Sequence, residues 1–488
     1  MKNSFLLMGT AMLAACATSP DAVERLAHDR NALFATAPEA PAMWAARGVA
    51  GIAPQADWLE QFDDPVMTAL VAEALAANPT LESRAASMRA SAALARSTRA
   101  RRVPSLSGSL TLGGNSQVFE GAGGSTRFTD AIYGVGLDAS WEPDLWGRVG
   151  NAIARSDAEL AASAADFAAA ELSVTAQTAI AWLGLNEALA QERIAVLTYE
   201  ARDRALELTE RRVRIGVAGA LELRTARSAL AQAEASIAAR RQLSTQAARR
   251  LEVLLGRYPA AEITAPAILP MLEPLSVQGN PALLLSRRPD IAAFEARVVS
   301  AGLRAEEARL ALLPSLRLTG SAGTNSADLA DALDPSLIAA RLVGSLSQPI
   351  FNGGSLRAQQ EAAIAQARAA MANYASAALD AWREVENALT ADILLAQQED
   401  AQGRAVEEAR FAEEIAERQY ASGTVSIFNL IDAQTRRLTA ESQYVSARAD
   451  RAINRINYHL ALGGGVPEME FASEDDLFDT DAAESGRR

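Results

Sequence analysis

A chain of 488 residues, 49% apolar and 22% charged, has ample material for a buried core, which excludes disorder for its bulk. A formal charge of -14 excludes nucleic acid as a partner, because phosphate binding needs a basic footprint. Cys16 is the only cysteine, so no intrachain disulfide can form. The two histidines, His28 and His459, lie far apart without a Cys or His cluster, so neither a metal nor a cofactor is expected and each histidine reads as a surface or packed residue.

The chain opens with Met1-Lys2, an apolar stretch from Phe5 to Leu13, and then Leu13-Ala14-Ala15-Cys16. The apolar run is too short to cross a bilayer as a helix, so residues 1–15 read as a signal peptide. The small residues before Cys16 resemble a bacterial lipobox, which makes Cys16 the candidate lipidation site. Ala17 follows rather than Asp, so the signal that retains lipoproteins at the inner membrane is missing and the outer membrane is favoured. Residues 16–56, rich in Ala and Pro, read as a lipidated arm leading to the body.

Asp64-Pro65 opens a short helix to about Ala77, and Asn78-Pro79 opens a second that ends near Arg102. Leu106, Gly108, Leu110 and Leu112 then alternate with polar neighbours, as do Tyr133, Val135, Leu137, Ala139 and Trp141. These predict a strand pair over about 104–142, joined by a Gly- and Ser-rich loop from Gly113 to Arg127. From Asp144 to Tyr258 there is no proline, and Ala, Leu, Glu, Arg and Gln dominate. Glycines at 216, 219 and 256 divide this stretch into a long helical hairpin over 148–256. Its first helix, from about Arg148 to Arg214, would be roughly 100 Å long.

The second half repeats the first. Asn78-Pro79 answers Arg288-Pro289 and Val103-Pro104-Ser105-Leu106 answers Leu313-Pro314-Ser315-Leu316, at a shift of 210. Pro143 and Gly147 answer Pro349 and Gly353 at 206, while Arg211, Gly216, Leu223 and Gly256 answer Arg418, Gly423, Leu430 and Gly463 at 207. An internal duplication follows, with repeats over 57–270 and 271–465. The second holds a strand pair at about 314–349, a loop from Gly323 to Pro335 and a helical hairpin over 354–463. Proline and Asp suit a first helical turn, so Arg287-Arg288-Pro289-Asp290 is assigned no chemistry.

Strands of about ten residues with one apolar face match a tilted membrane strand, and four of them cannot close a barrel of useful bore. An open edge in lipid leaves backbone groups unsatisfied, so the strands must be lent to an oligomer, and three copies supply twelve. Along the helices, Leu223, Ala226, Leu230, Ala233, Ile237, Ala247, Leu251 and Leu254 make a coiled-coil seam interrupted by Arg240 and Ser244. Met371, Tyr374, Ala378, Ala381, Val385, Ala388 and Leu395 make another. Residues 466–488 form an acidic tail expected to be disordered.

Trp141-Glu142-Pro143-Asp144-Leu145-Trp146-Gly147-Arg148, Arg287-Arg288-Pro289-Asp290-Ile291, Leu313-Pro314-Ser315-Leu316 and Ala461-Leu462-Gly463-Gly464-Gly465 resemble outer membrane efflux proteins of the TolC family, in its lipoprotein branch similar to OprM and NodT. The resemblance runs from about Asp57 to Gly465 and departs at Pro143, where the family more often has an acidic or small residue. It implies a mainly α fold with a transmembrane β-barrel: a homotrimer whose twelve-stranded barrel, four strands per chain, is continued by a long helical tunnel. It also implies two partners, a periplasmic adaptor (membrane fusion) protein and an inner membrane pump of the resistance-nodulation-division type. No phosphate loop, nucleophile constellation or cofactor motif is present, so an enzyme is not expected. The functions compatible with the pattern are a passive efflux duct, a duct for type I protein secretion, and a lipid-anchored structural coiled coil.

The two hairpin turns are the candidate site. The resemblance places adaptor docking at Gly216, Val217, Ala218, Gly219, Gly423, Thr424 and Val425, and the closed aperture beside them. The glycines there also cap their helices. Arg211 and Arg418 are placed to pair with Glu210, Glu414 or Glu417 and hold the aperture shut.

Overall fold

The computed structural model describes residues 41, 44–46, 49–50, 58–121, 124–273, 275–277 and 281–464. The signal peptide at 1–15, Cys16, His28, nearly all of the arm to residue 56, Gly465 and the acidic tail lie outside the described residues. The chain falls into two compact units, one built from 88–163 and 293–376 and the other from the remaining described segments.

The first unit holds the sheet. Strands β1 (Ser105–Gly121) and β2 (Gly124–Trp141) form one hairpin, and β3 (Ser315–Ser326) and β4 (Ala339–Ser347) form another. All neighbours are antiparallel in the order β1-β2-β3-β4, so β1 and β4 are open edges. The pairs Leu110↔Val135, Leu137↔Ala322, Leu318↔Gly344 and Leu316↔Leu346 put the apolar residues of all four strands on one face. That face is uncovered: Leu106, Leu110, Leu112, Leu137, Leu342 and Leu346 are all exposed.

The expected loop from Gly113 to Arg127 is not a loop. The ladder continues through it, from Gly113↔Ile132 to Gly121↔Gly124, leaving residues 122–123 as the connection. Its glycines and serines read as turn signals, but Val118, Phe119, Thr126 and Phe128 are good strand formers and a hairpin needs only two linking residues. The loop from Gly323 is likewise shortened, because β3 runs to Ser326 before a short helix at Leu329–Ala332.

Helices α1 (Pro65–Ala77) and α2 (Pro79–Arg99) precede the sheet; α3 (Arg148–Arg214) and α4 (Ala220–Leu254) follow its first hairpin. Next come α5 (Pro281–Arg287) and α6 (Pro289–Leu310), and after β4, α7 (Ser355–Ser422) and α8 (Ile427–Ala461). The first turn of α3 explains the Trp-rich motif before it. Asp144 accepts from the backbone N–H of Val149 (3.0 Å) and Gly150 (2.7 Å), and the Trp146 indole donates to the Pro314 carbonyl at 2.6 Å.

All four long helices end the same way. Gly216, Gly256, Gly423 and Gly463 have φ between 65° and 85°, and the residue after each donates back to a carbonyl five positions earlier. At two of these ends a side chain from the preceding helix pair closes the cap. Asn78 donates to the Leu254 carbonyl (2.8 Å) and Arg288 to the Ala461 carbonyl (3.0 Å). A Cβ on Gly256 would lie 2.6 Å from the Ala77 carbonyl oxygen, and one on Gly463 2.8 Å from that of Arg287. Arg288 also grips Asp290 and Glu384, so the Arg-Arg-Pro-Asp motif ties a helix start to a helix end.

The second unit carries the larger core, where Trp182, Leu183, Leu185, Met67, Leu251 and Ile456 meet. The expected seams lie inward in part. Ala226, Ala233 and Leu251 are buried on α4, as are Met371, Ala378, Ala381, Val385 and Ala388 on α7, while Leu223, Leu230, Ile237, Tyr374 and Leu395 are half-buried. Ser244, read as an interruption, is buried and donates to Glu192 at 2.6 Å, so a hydroxyl takes a seam position where a carboxylate receives it. Among the described residues no helix is long and apolar enough to cross a membrane.

His459 is a packed residue. It stacks on Trp58 (centroids 5.4 Å apart) and meets the Gln61 side chain at 3.2 Å. Burial, helped by the Arg455 cation one turn earlier, pushes its pKa down from 6.5 to about 4. The fold therefore favours neutral imidazole: stability is complete above pH 6.5 and is lost as pH falls toward about 4, by about 3 kcal/mol at full protonation. Thermal unfolding of the detergent-extracted protein from pH 7.5 to 4 should show a smaller acid loss for His459→Gln than for the parent. Equal losses would disprove the assignment.

Candidate functional site

The turn after α3 and the turn after α7 sit over a small cluster of Ala205, Ala226, Tyr420, Ile427 and Leu430, with Val425 packed against it. Gly216 (φ 75°) and Gly423 (φ 81°) end their helices in the left-handed conformation, as the spacing required. Ile215, Val217 and Leu221 are exposed around the first turn, Ala218 is half-buried, and a Cβ on Gly216 or Gly219 would meet open space. The Thr424 hydroxyl meets Ser422 Oγ (2.7 Å) and donates to the Gln419 carbonyl (3.0 Å), so this side chain is part of the cap of its helix.

The charges follow the expectation at Arg418 and depart from it at Arg211. Arg211 pairs with Glu207 (3.5 Å), not Glu210, because residues four apart share a helix face whereas adjacent ones do not. Glu210 instead meets Arg227 of α4 at 2.9 Å. Arg418 does pair with Glu414, at 3.6 Å, and Glu417 is exposed. The Arg211 and Arg418 pairs each lie within one helix and are largely exposed, worth under about 1 kcal/mol apiece, so neither ties one hairpin to the other.

The tie is made by Arg212. Its guanidinium lies 4.7 Å from the centroid of the Tyr420 ring and donates through Nη1 to the Tyr420 carbonyl. The Tyr420 hydroxyl meets the buried Thr209 hydroxyl at 2.7 Å, and burial pushes the phenol's pKa up. Tyr420 also accepts the cap bond from Gly423, so one carbonyl serves the second turn and the first hairpin together. Residue pattern did not single out Arg212 among Arg211, Arg212 and Arg214; the face that meets α7 is fixed only by packing. Further from the turns, Arg202 reaches the Ile431 carbonyl (3.2 Å) and Thr435 Oγ1 (2.8 Å), and Arg437 sits between Glu413 and Glu441.

A sequence profile of outer membrane efflux proteins matches residues 70–257 and again 280–464. The chain belongs to the outer membrane efflux protein family. Relatives from Pseudomonas aeruginosa include the outer membrane protein OprJ, 31% identical over 84% of this chain and 87% of its own length. Another is the pyoverdine export outer membrane protein OpmQ, 29% identical over 95% and 97%. The open state of the Neisseria gonorrhoeae MtrE outer membrane channel superposes with a TM-score of 0.75 at 26% identity, over 89% of this chain and 99% of that one. This efflux protein is accordingly an outer membrane protein, from a family of channels rather than enzymes. Among its described residues no group of three or more His, Cys, Asp or Glu side chains is arranged to hold a metal ion.

If Arg212 joins the hairpins, Arg212→Ala should loosen the second turn locally. A charge-assisted hydrogen bond is worth about 1.5–3 kcal/mol, so amide exchange at Gly423 and Thr424 should accelerate roughly ten- to a hundredfold. Hydrogen-exchange mass spectrometry of peptides covering 415–430 reads this out, with 250–260 as the internal reference.

Proposed function

We propose that this chain is the outer membrane duct of a tripartite efflux system, passively conducting small toxic solutes delivered by a periplasmic adaptor and an inner membrane pump. The observation that carries this reading is the uncovered apolar face of a four-stranded sheet with two open edges, in a chain whose long helices belong to the efflux family. Three copies would give twelve strands and remove the edges. Relatedness to a pyoverdine export protein supports small molecules as cargo.

Several finer features belong to the same proposal. The chain is an internal duplication of 57–270 and 271–465, supported by two matches of one family profile and by the paired caps Asn78 to Leu254 and Arg288 to Ala461. Residues 1–15 are a signal peptide, Cys16 is acylated at the mature amino terminus, 16–56 are the arm and 466–488 a solvated tail. Each buried methylene of an acyl chain adds about 0.8 kcal/mol to membrane attachment. Intact-mass spectrometry should find Cys16 modified in the parent and unmodified residue 16 in Cys16→Ser.

The turns at Gly216, Val217, Ala218 and Gly219 and at Gly423, Thr424 and Val425 receive the adaptor, supported by exposed apolar side chains at otherwise small tips. Arg211, Glu414, Glu417 and Arg418 line the aperture; because the Arg211 and Arg418 pairs run along single helices, they act as a ring of charge across three copies rather than as ties. Efflux assays in a strain lacking the gene test this directly. The parent should restore export of dyes and antibiotics; Val217→Trp should fail at matched protein level while particles keep three chains. Export by Val217→Trp at the parent's rate would place docking elsewhere, and single-chain particles from the parent would sink the duct.

A further inference from the structure

The sheet ends where the helices begin, and that end carries exposed positive charge although the formal charge of the chain is -14. After α2 a short helical turn covers Ala100–Arg102, and the Arg101 and Arg102 side chains are exposed with no ion-pair or hydrogen-bond partner among the described residues. Other arginines at this end are paired: Arg99 with Asp157, Arg148 with Glu142 and Arg309 with Glu306. Beyond β4, at the other edge of the sheet, Arg357 in the first turn of α7 is again exposed and unpaired among the described residues. The opposite end of the sheet is acidic, with Asp328, Asp331 and Asp334 in the connection from β3 to β4 and no basic residue in it.

Apolar side chains without cover stand next to these arginines. Val103, directly after Arg102, is exposed, and Ile350 and Phe351, between β4 and α7, are 95% and 90% exposed. Trp141 lies on the uncovered apolar face, opposite Leu318, and its indole donates to the Arg102 carbonyl at 3.1 Å, which sets the ring where that face ends. An aromatic ring with an apolar body and a polar handle suits the boundary between hydrocarbon and headgroups.

The fold does not require these residues. Cations at the end of a helix complement its dipole, but the second repeat follows the equivalent helix α6 with Ala311 and Leu312 in the places of Arg101 and Arg102. Arg357 opposes the dipole at a helix start, where its counterpart is Asn151, and Ile350 and Phe351 stand in the places of Asp144 and Leu145.

We propose that Arg101, Arg102 and Arg357 bind the phosphate of anionic phospholipids in the inner leaflet of the outer membrane, with Val103, Ile350 and Phe351 among the upper acyl chains. This rests on the reading above in which the sheet crosses the membrane and the helices lie on its periplasmic side. A guanidinium fork matches two phosphate oxygens, and each arginine near an anionic surface strengthens attraction about fivefold. Phospholipid fits both halves of the surface, offering a phosphate to the unpaired cations and hydrocarbon to the exposed side chains beside them. Arg317 supplies the contrast: opposite Ser345 in the ladder, it lies on the polar face of the same end and outside the proposed surface.

Native mass spectrometry of full-length three-chain particles, equilibrated with phosphatidylglycerol, phosphatidylcholine or inorganic phosphate, tests the proposal. The parent should retain phosphatidylglycerol in preference to phosphatidylcholine. Arg101→Gln, Arg102→Gln and Arg357→Gln combined should weaken phosphatidylglycerol retention at least about tenfold, the three lysine replacements should keep most of it, and Arg317→Gln should leave it at the parent's level. Equal retention by the glutamine variant and the parent, an equal loss in Arg317→Gln, or displacement of the lipid by inorganic phosphate would overturn the site. The parent also gives a readout that needs no substitution: hydrogen exchange in peptides covering 96–106 and 350–360 should be slower in phosphatidylglycerol bilayers than in phosphatidylcholine bilayers, with 250–260 unchanged. Equal exchange in the two bilayers would overturn the site even where the glutamine variant fails to assemble. Single-chain particles from the parent, or parent protein missing from the membrane, would instead defeat the reading beneath it.

Discussion

A strand edge in lipid has no water to satisfy its N–H and C=O groups, and each unpaired group there costs several kcal/mol. Among the described residues the sheet has two such edges, β1 and β4, together with an apolar face that none of them covers. These features are costly in water and explicable in a membrane only if other strands finish the sheet. The outer membrane setting of the family supplies the solvent for the face. Further copies of the chain, as proposed, supply the partners for the edges.

The helices face the opposite problem, since their polar surfaces must be held together in water. Lys2 is the only lysine, so these contacts rest on arginine, whose planar fork grips two acceptors at once. Arg288 binds Asp290 and Glu384 and still donates to a helix-end carbonyl; Arg437 bridges Glu413 on α7 to Glu441 on α8. Asp392 receives both Arg451 and Arg455 in the buried interior. Burying such pairs costs desolvation, so they are poor sources of stability, but a carboxylate displaced from its arginine leaves a buried charge and the helix register is thereby fixed.

At the turns the same logic gives a graded attachment. The exposed pairs of Arg211 and Arg418 stay within their own helices, while Arg212 is half-buried, rests on an aromatic face and reaches across to the other hairpin. A change that separated the hairpins would have to break the Arg212 contact and the hydroxyl pair of Tyr420 and Thr209. Adaptor binding at the exposed residues beside it, as proposed, would act next to this tie, over the small cluster of Ala205, Ala226, Tyr420, Ile427 and Leu430.

Local chemistry was legible from residues alone. Proline-free stretches, Asp64-Pro65 and glycines at 216, 256, 423 and 463 fix where the chain is helical and where it stops, because the left-handed residue and the backbone bonds that end a helix involve only residues close in sequence; the Asn78 and Arg288 side chains that complete two of these ends come from far away in the chain. Alternation likewise fixed which residues of β1 to β4 share a face. Where a glycine-rich stretch is extended instead, as from Gly113 to Gly121, the decision lay with the partner strand that pairs its backbone. The choice of Arg212 over Arg211, of Glu207 over Glu210, and of Ser244 as a seam residue also waited on tertiary structure. Each depends on which face of a helix meets another helix far away in the chain, and a charge or hydroxyl takes its role from the group that packing sets before it.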